Sequence, residues 1–162
     1  MSAAGESTAN VLLVIPAGAE AQRAMDAAIE LAKARSGRLV ALIVLDPAQA
    51  TRAARTLSEA GFMSEEVGTQ VGAAIAHEHR SDAEARLHAL GERAARQGVT
   101  VTALIEEGDT GEICDRVIRA HRIGTAVLVA EKQSWLTRFL SRGAAVQLPA
   151  FAGCEVKVME DD

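Results

Sequence analysis

The chain has 162 residues, a net charge of −5 and an isoelectric point near 5.4, and aromatic residues make up only 2% of it. This length suits one domain, and an acidic chain with almost no aromatic rings for base stacking is a poor candidate for nucleic-acid binding. The apolar residues occur in short runs, none near the 18 consecutive residues of a membrane span, so we expect no membrane insertion.

The first residues, "MSAAGESTAN", contain neither a basic segment nor an apolar core of the kind found in secretory signals. We therefore expect residues 1–9 to be a flexible N-terminus, residues 10–159 to form a single domain and residues 160–162 to be an acidic tail. Cys114 and Cys154 are far apart and belong to no CxxC motif, so they are predicted to be small core residues. These features favour a cytoplasmic protein.

Five runs rich in Val, Leu and Ile predict strands, at Val11–Ile15, Leu39–Leu45, Val99–Ile105, Ala126–Ala130 and Cys154–Met159. Between the first two, four apolar residues recur with helical spacing, at Met25, Ala28, Ile29 and Ala32. Gly37 then provides a candidate helix stop. This order predicts a βαβ unit.

A long connection follows the second strand, with a break at Gly61 and a helix that reaches roughly Arg96. Its apolar stripe is predicted to pack on a sheet, and consists of Val71, Ala74, Ile75, Leu87, Leu90 and Ala94. A third helix follows "GDTGE" at 108–112, with Thr110 as the candidate N-cap and an apolar side at Ile113, Val117, Ile118 and Ala120, and it is predicted to end near Gly124. The same turn could hold a phosphate, but a capped helix start explains it without a ligand.

Alternating helices and continuously apolar strands predict an α/β fold, a Rossmann-like open five-stranded parallel sheet with helices on both faces. The expected strand order is 3-2-1-4-5. In such a sheet the ligand crevice lies where the winding direction reverses, between strands one and four. The loop that contains "PAGAE" would then lie opposite the loop after Ala130.

The chain resembles the universal stress protein family from Asn10 to Met159. The resemblance rests on "VLLVIPAGAEAQRAMDAAIELAKARSGRLVALIVLDP", on "EARLHALGERAARQGVTVTALIEEGDTGEICDRVIRAHRIGTAVLVA" and on the final "GCEVKV". It implies a dinucleotide-like α/β domain, usually dimeric, in a family of cytoplasmic stress-response proteins. One branch of the family binds ATP and another does not.

The ATP-binding branch carries G-x2-G-x9-G-[S/T] after strand four and D-G-S-E after strand one. Laid on this sequence, the four positions of the first motif fall on Ala130, Gln133, Gly143 and Ala144, so only one glycine is kept. The acidic position of the second motif falls on Ala17. Val44 and Arg142 are the other family-matched ligand positions.

These replacements remove three kinds of group. They remove glycines at positions where the backbone must approach a phosphate, a hydroxyl that could donate a hydrogen bond, and a carboxylate that could accept one. Each good hydrogen bond to a charged group contributes roughly 1.5–3 kcal/mol, so two or three losses weaken affinity by orders of magnitude. We expect no ATP binding and no cofactor. The alternative is a sensor that binds ATP, AMP or another small anion through Arg142, Gly143 and backbone groups of strands one and four.

The segment after strand four leaves two further alternatives open. Lys132, Arg138 and Arg142 could form an anion site or a solvated basic rim. Trp135 and Phe139, with Leu136 and Leu140, could dock a protein partner or form a lid over the crevice.

No reaction is indicated by the spacing of nucleophiles, bases or carboxylates, so we expect a protein that is not an enzyme. His77, His79, His88 and His121 lack metal-site spacing and are predicted to lie at the surface, and no metal is expected.

The last strand, "CEVKV", alternates polar and apolar residues. If it pairs antiparallel with a second copy about Val156, Glu155 lies opposite Lys157 of the partner chain and two open sheet edges are removed. A homodimer interface at Glu155, Val156, Lys157 and Val158 is therefore predicted. Together with the resemblance to the universal stress protein family, these features favour a dimeric, non-catalytic stress-response or regulatory protein.

Overall fold

The structure is a computed structural model, and it describes residues 9–17, 19–45, 55–61, 64–130 and 153–160. Five strands form one sheet: β1 (Val11–Pro16), β2 (Leu39–Leu45), β3 (Val101–Glu107), β4 (Thr125–Ala130) and β5 (Glu155–Glu160). Three helices accompany them: α1 (Gln22–Ala34), α2 (Glu65–Ala95) and α3 (Thr110–Ala120). Residues 55–59 add a short helical segment.

All pairings in the sheet are parallel, and the strand order is β3-β2-β1-β4-β5. The predicted fold class and order are confirmed. The central strands β1 and β2 are buried along almost their whole length, which explains why their sequences are continuously apolar rather than alternating.

The side chains of successive strand residues point to opposite sides of the sheet and form two apolar cores. On face 1, Leu13 and Ile15 pack with α1 and α2. On face 2, Leu12 and Val14 pack with α3, including Ile113. Helices thus cover both faces, as predicted.

The helix α2 is much longer than the strands it follows. Its 31 residues span about 46 Å at 1.5 Å each, whereas a seven-residue strand spans about 23 Å. The buried residues that the sequence predicted, Leu87, Leu90 and Ala94, lie in its second half. In the first half Ala74 is exposed and Val71 and Ile75 are half-buried, so the predicted packing of that part on the sheet is wrong.

The first half of α2 extends beyond the carboxyl edge of the sheet. Arg80 forms an ion pair with Glu107, the last residue of β3, which places this edge near the middle of the helix. The exposed start is stabilised locally, because the Ser64 hydroxyl accepts a hydrogen bond from the Val67 N–H and Glu65 and Glu66 complement the helix dipole.

The helix ends differ from the predicted ones by one to four residues. At α1 the left-handed residue is Ser36 (φ 53°), whose N–H bonds the Lys33 carbonyl while the Gly37 N–H bonds the Ala32 carbonyl. This is a Schellman motif with serine at the glycine position. Gly37 is needed for another reason, since a Cβ there would lie 1.8 Å from the Ala9 carbonyl oxygen.

The N-cap of α3 is Asp109 rather than the predicted Thr110. The Asp109 carboxylate accepts a hydrogen bond from the Glu112 N–H at 2.9 Å, so the capping explanation of "GDTGE" holds with the neighbouring residue as the cap. The helix stops at Ala120, which is exposed, and Arg122 (φ 51°) provides the left-handed turn that was expected of Gly124.

Candidate functional site

The candidate crevice lies at the carboxyl ends of β1 and β4, where the strand order changes direction. β1 pairs with β2 on one side and with β4 on the other, in a register that joins Val14 to Leu128. Ala130 ends β4 two residues beyond Leu128, and Pro16 ends β1 two residues beyond Val14. The loops after these two strands therefore start at the same level.

The loop between β1 and α1 is built mainly of alanine. The Ala19 N–H donates to the Pro16 carbonyl at 3.1 Å, which closes a tight turn directly after the strand. Ala17 is half-buried against the face 1 core, whereas Ala19 and Ala21 are fully buried. Ala21 is the N-cap of α1 and has a left-handed φ of 56°, and no side chain caps the helix there.

Two arginines of α2 hold this loop and the start of α1. Arg86 donates to the Ala19 carbonyl and lies 3.7 Å from the Glu20 carboxylate. Arg93, seven residues later, donates to the Gln22 side-chain oxygen at 2.8 Å and forms an ion pair with Asp26. Because seven residues are two helical turns, both arginines lie on the face of α2 that meets the β1–α1 loop and α1.

Two further carboxylates at this edge of the sheet are also paired. Glu106 forms an ion pair with Arg116 of α3, and Glu107 lies 3.2 Å from Arg80 of α2. Within the described ranges, no group of three or more His, Cys, Asp or Glu side chains could hold a metal ion. This edge therefore presents arginine and carboxylate pairs.

The family-matched ligand positions are only partly brought together. Val44 pairs with Pro16 in the sheet, but its side chain is buried in the face 2 core while Ala17 packs on face 1. Ala130 ends β4. Gln133, Arg142, Gly143 and Ala144 lie outside the described residues, and so do the basic cluster (Lys132, Arg138 and Arg142) and the apolar cluster at Trp135 and Phe139.

Neither cysteine has the environment of a nucleophile. Burial, with a smaller contribution from the Asp109 charge, raises the pKa of Cys114 to about 12. Burial also raises the pKa of Cys154, which is half-buried at the rim of the face 2 core. Both thiols are therefore protonated at neutral pH, in agreement with the prediction that they are packing residues.

The histidines lie at or near the surface, as predicted. His77 and His88 are exposed, whereas His79 and His121 are half-buried. His88 lies 2.7 Å from Glu92 one turn later on α2, an exposed contact within one helix.

β5 forms one edge of the sheet and carries the predicted dimer residues. Its Val156 and Val158 pair with Ala126 and Leu128, which places them on face 2, yet 38% and 47% of these valines remain exposed. Glu155 and Lys157 point to face 1, where Glu155 lies 3.4 Å from Arg35. In the part of the chain that the structure describes, no helix has the length and apolar character to cross a membrane.

Comparison with solved structures gives several matches over almost the full chain. A protein of the universal stress protein family from Burkholderia pseudomallei matches with a TM-score of 0.64 and 22% identity, over 94% of this chain and 96% of that one. Universal stress protein UspA from Lactobacillus plantarum matches with a TM-score of 0.57 and 14% identity, over 94% and 97% of the two chains. The chain has the universal stress protein fold.

A third structure is a universal stress protein in complex with cAMP, which matches with a TM-score of 0.52 and 13% identity over 93% of this chain and 94% of that one. No family model matches the sequence, and no curated protein matches it significantly. At these identities the likeness is one of fold, and it confirms at that level the resemblance that the motifs predicted.

Within this universal stress protein fold, sequence reasoning missed the arginines that contact the β1–α1 loop. Arg86 and its partner Ala19 are 67 residues apart, so no local pattern joins them. The available signal was the spacing of Arg86 and Arg93 on one face of a predicted helix, which indicates that both meet the same neighbour.

Proposed function

We propose that this chain is a non-catalytic universal stress protein-like domain of the cytoplasm that does not bind ATP and acts through protein contacts in a stress response or its regulation. The observation that supports this most directly is the chemistry of the β1–α1 loop. Ala17 stands at the position of the acidic motif residue, and the Ala19 carbonyl and the Glu20 carboxylate are already engaged by Arg86.

A nucleotide needs acceptors for its sugar and base edges and donors for its phosphates. The alanines of this loop offer neither through their side chains. The remaining loop carboxylate carries a negative charge, which would repel a phosphate, and its arginine partner is itself held by Asp82 at 2.7 Å. These features favour a crevice that keeps the scaffold of a nucleotide site without its polar groups.

The alternative function is a sensor that binds a nucleotide or another small anion. It is favoured because a universal stress protein whose structure was solved in complex with cAMP has the same fold. The two functions differ in one measurable property, the stabilisation of the folded chain by nucleotide.

A thermal shift assay with ATP, AMP and cAMP separates them. Ligand at 100 times its Kd stabilises a protein by about 2.7 kcal/mol, and for a chain of this size that raises Tm by about 5–10 °C. We expect no shift with any of the three, while the universal stress protein solved with cAMP serves as the positive control. A saturable rise of several degrees with a nucleotide would contradict our proposal and support the sensor.

We further propose that the chain forms a homodimer through β5. The Glu155 N–H donates to the Gly124 carbonyl, next to β4. Backbone groups of alternate residues in a strand point to opposite sides, so the N–H and C=O groups of Val156 and Val158 point away from β4, towards the open edge. An antiparallel partner strand centred on Val156 would pair these outward groups and would cover the two exposed valines. It would also place Glu155 opposite Lys157 of the second copy.

Light scattering tests this interface. Val158→Arg introduces charge at the edge and should convert a dimer to a monomer. Val67→Arg is the matched control, because Val67 is exposed to a similar extent, 45%, on α2. A monomeric mass of the wild-type chain at micromolar concentration would refute the interface.

A further inference from the structure

The β1–α1 loop has little chemistry of its own to fix its shape. Three of its four described residues, Ala17, Ala19 and Ala21, have no polar side chain. Ala21 also has a left-handed backbone, which is unfavourable for a residue with a Cβ. The start of α1 has no acidic residue in its first turn to complement the dipole.

The helix α2 presents a rigid base beside this loop. Ala83, Leu87 and Leu90 are buried in the face 1 core and fix the backbone around Arg86. The Arg86 Nε donates to Asp82 one turn earlier at 2.7 Å, which orients the guanidinium. Its terminal nitrogens then reach the Ala19 carbonyl and the Glu20 carboxylate.

We propose that Arg86, oriented by Asp82, is a positioning residue that holds Ala19 and Glu20 of the β1–α1 loop against α2 without help from a ligand. The guanidinium is largely shielded, with 21% of the side chain exposed, so its hydrogen bond to a buried backbone carbonyl is stronger than a surface ion pair. The contact with Glu20 is longer and its carboxylate is 66% exposed, so it contributes less.

The loop is thereby ordered by the protein itself at the place where a ligand would be expected to order it. Arg93 extends the same contact surface of α2 to Gln22 and Asp26 in α1. This inference concerns the free protein, and it stands whether or not the crevice binds a nucleotide.

Hydrogen exchange of the free full-length chain, followed by mass spectrometry, tests the inference. The measured quantity is the exchange rate of residues 17–24 divided by that of the buried strand Leu39–Leu45. We expect Arg86→Ala to raise this ratio at least about tenfold, because a charge-assisted hydrogen bond to a buried carbonyl is lost. Arg86→Lys keeps the charge but not the forked geometry, and should give an intermediate ratio.

The matched control is Arg80→Ala, which removes another arginine of α2 whose partner is Glu107 at the end of β3. It should leave the ratio unchanged. The proposal would be overturned if the ratio in Arg86→Ala lay within twofold of the wild-type ratio. This includes the case in which hydrogen exchange becomes faster in the loop and in the strand by the same factor. An equal rise in Arg80→Ala would also overturn it. No nucleotide is added, so the outcome is independent of the thermal shift test.

Discussion

Only the second half of α2 packs on the sheet, and this predicts very different costs for two similar substitutions in one helix. Leu90 is 1% exposed and lies in the face 1 core, whereas Ile75 is half-buried in the part that extends beyond the sheet. Leu90→Ala removes buried methyl groups and leaves a cavity. Ile75→Ala removes a similar volume at a position that is only half-buried.

The expected magnitudes follow from this difference. A buried Leu→Ala change costs about 2–5 kcal/mol, and we expect about 3 kcal/mol at Leu90 because strands of the sheet lie on the opposite side of its side chain. At Ile75 less apolar surface is removed from water, and the cost should be about 1 kcal/mol or less. For a chain of this size these values correspond to decreases in Tm of about 6–12 °C and less than about 4 °C.

Urea denaturation of the two variants and the wild type, with circular dichroism as the signal, measures both costs. The urea concentration at the midpoint of unfolding should fall several times further from the wild-type value for Leu90→Ala than for Ile75→Ala. The dependence of the free energy of unfolding on urea concentration should be similar in all three proteins. Equal shifts would refute the reasoning, because they would mean that the first half of α2 is packed as firmly as the second.

Three further predictions concern a helix end, a thiol and the dimer edge. Ser36→Gly should raise the free energy of unfolding by about 1 kcal/mol in denaturant melts, because glycine adopts the left-handed turn without penalty, and Ser36→Ala, the control, should give no gain. The raised pKa of Cys114 means that the thiol holds its proton more tightly in the folded state than in the unfolded state. The stability that this thiol contributes is therefore complete below pH 9 and declines between pH 9 and 12. Urea melts at each pH should show a smaller decline in the free energy of unfolding for Cys114→Ala than for the wild type, and an identical decline would contradict this. Lys157→Glu should weaken the proposed dimer by about 1–4 kcal/mol, since two favourable cross-strand pairs become repulsive. Light scattering over a dilution series measures that loss, and an unchanged dimer would exclude the register centred on Val156.

The sequence predicted those elements whose burial is uniform. β2 lies at Leu39–Leu45 as predicted, because a central parallel strand is apolar from end to end. β3 lies two residues later than predicted. Val99 lies in the turn that ends α2, where its N–H donates to the Ala94 carbonyl, so β3 starts later. At its other end this edge strand continues through Glu106 and Glu107, because both carboxylates pair with arginines.

Helix ends and the loop contacts were harder to predict, for a different physical reason. Asp109 and Thr110 are both good caps, and only the backbone geometry selects between them. Ser36 and Arg122 adopt left-handed turns that the sequence would assign to nearby glycines. The contact of Arg86 with Ala19 depends on how α2 lies across the sheet, which no local pattern specifies.

The central claim is that the crevice between β1 and β4 holds no adenine nucleotide. Its most direct test is to purify the chain without added ligand, denature it, and analyse the released small molecules by chromatography and mass spectrometry. We expect no adenine nucleotide above the level found in a blank preparation. Release of ATP, AMP or cAMP in near-stoichiometric amounts would contradict the account and establish the chain as a nucleotide-binding protein.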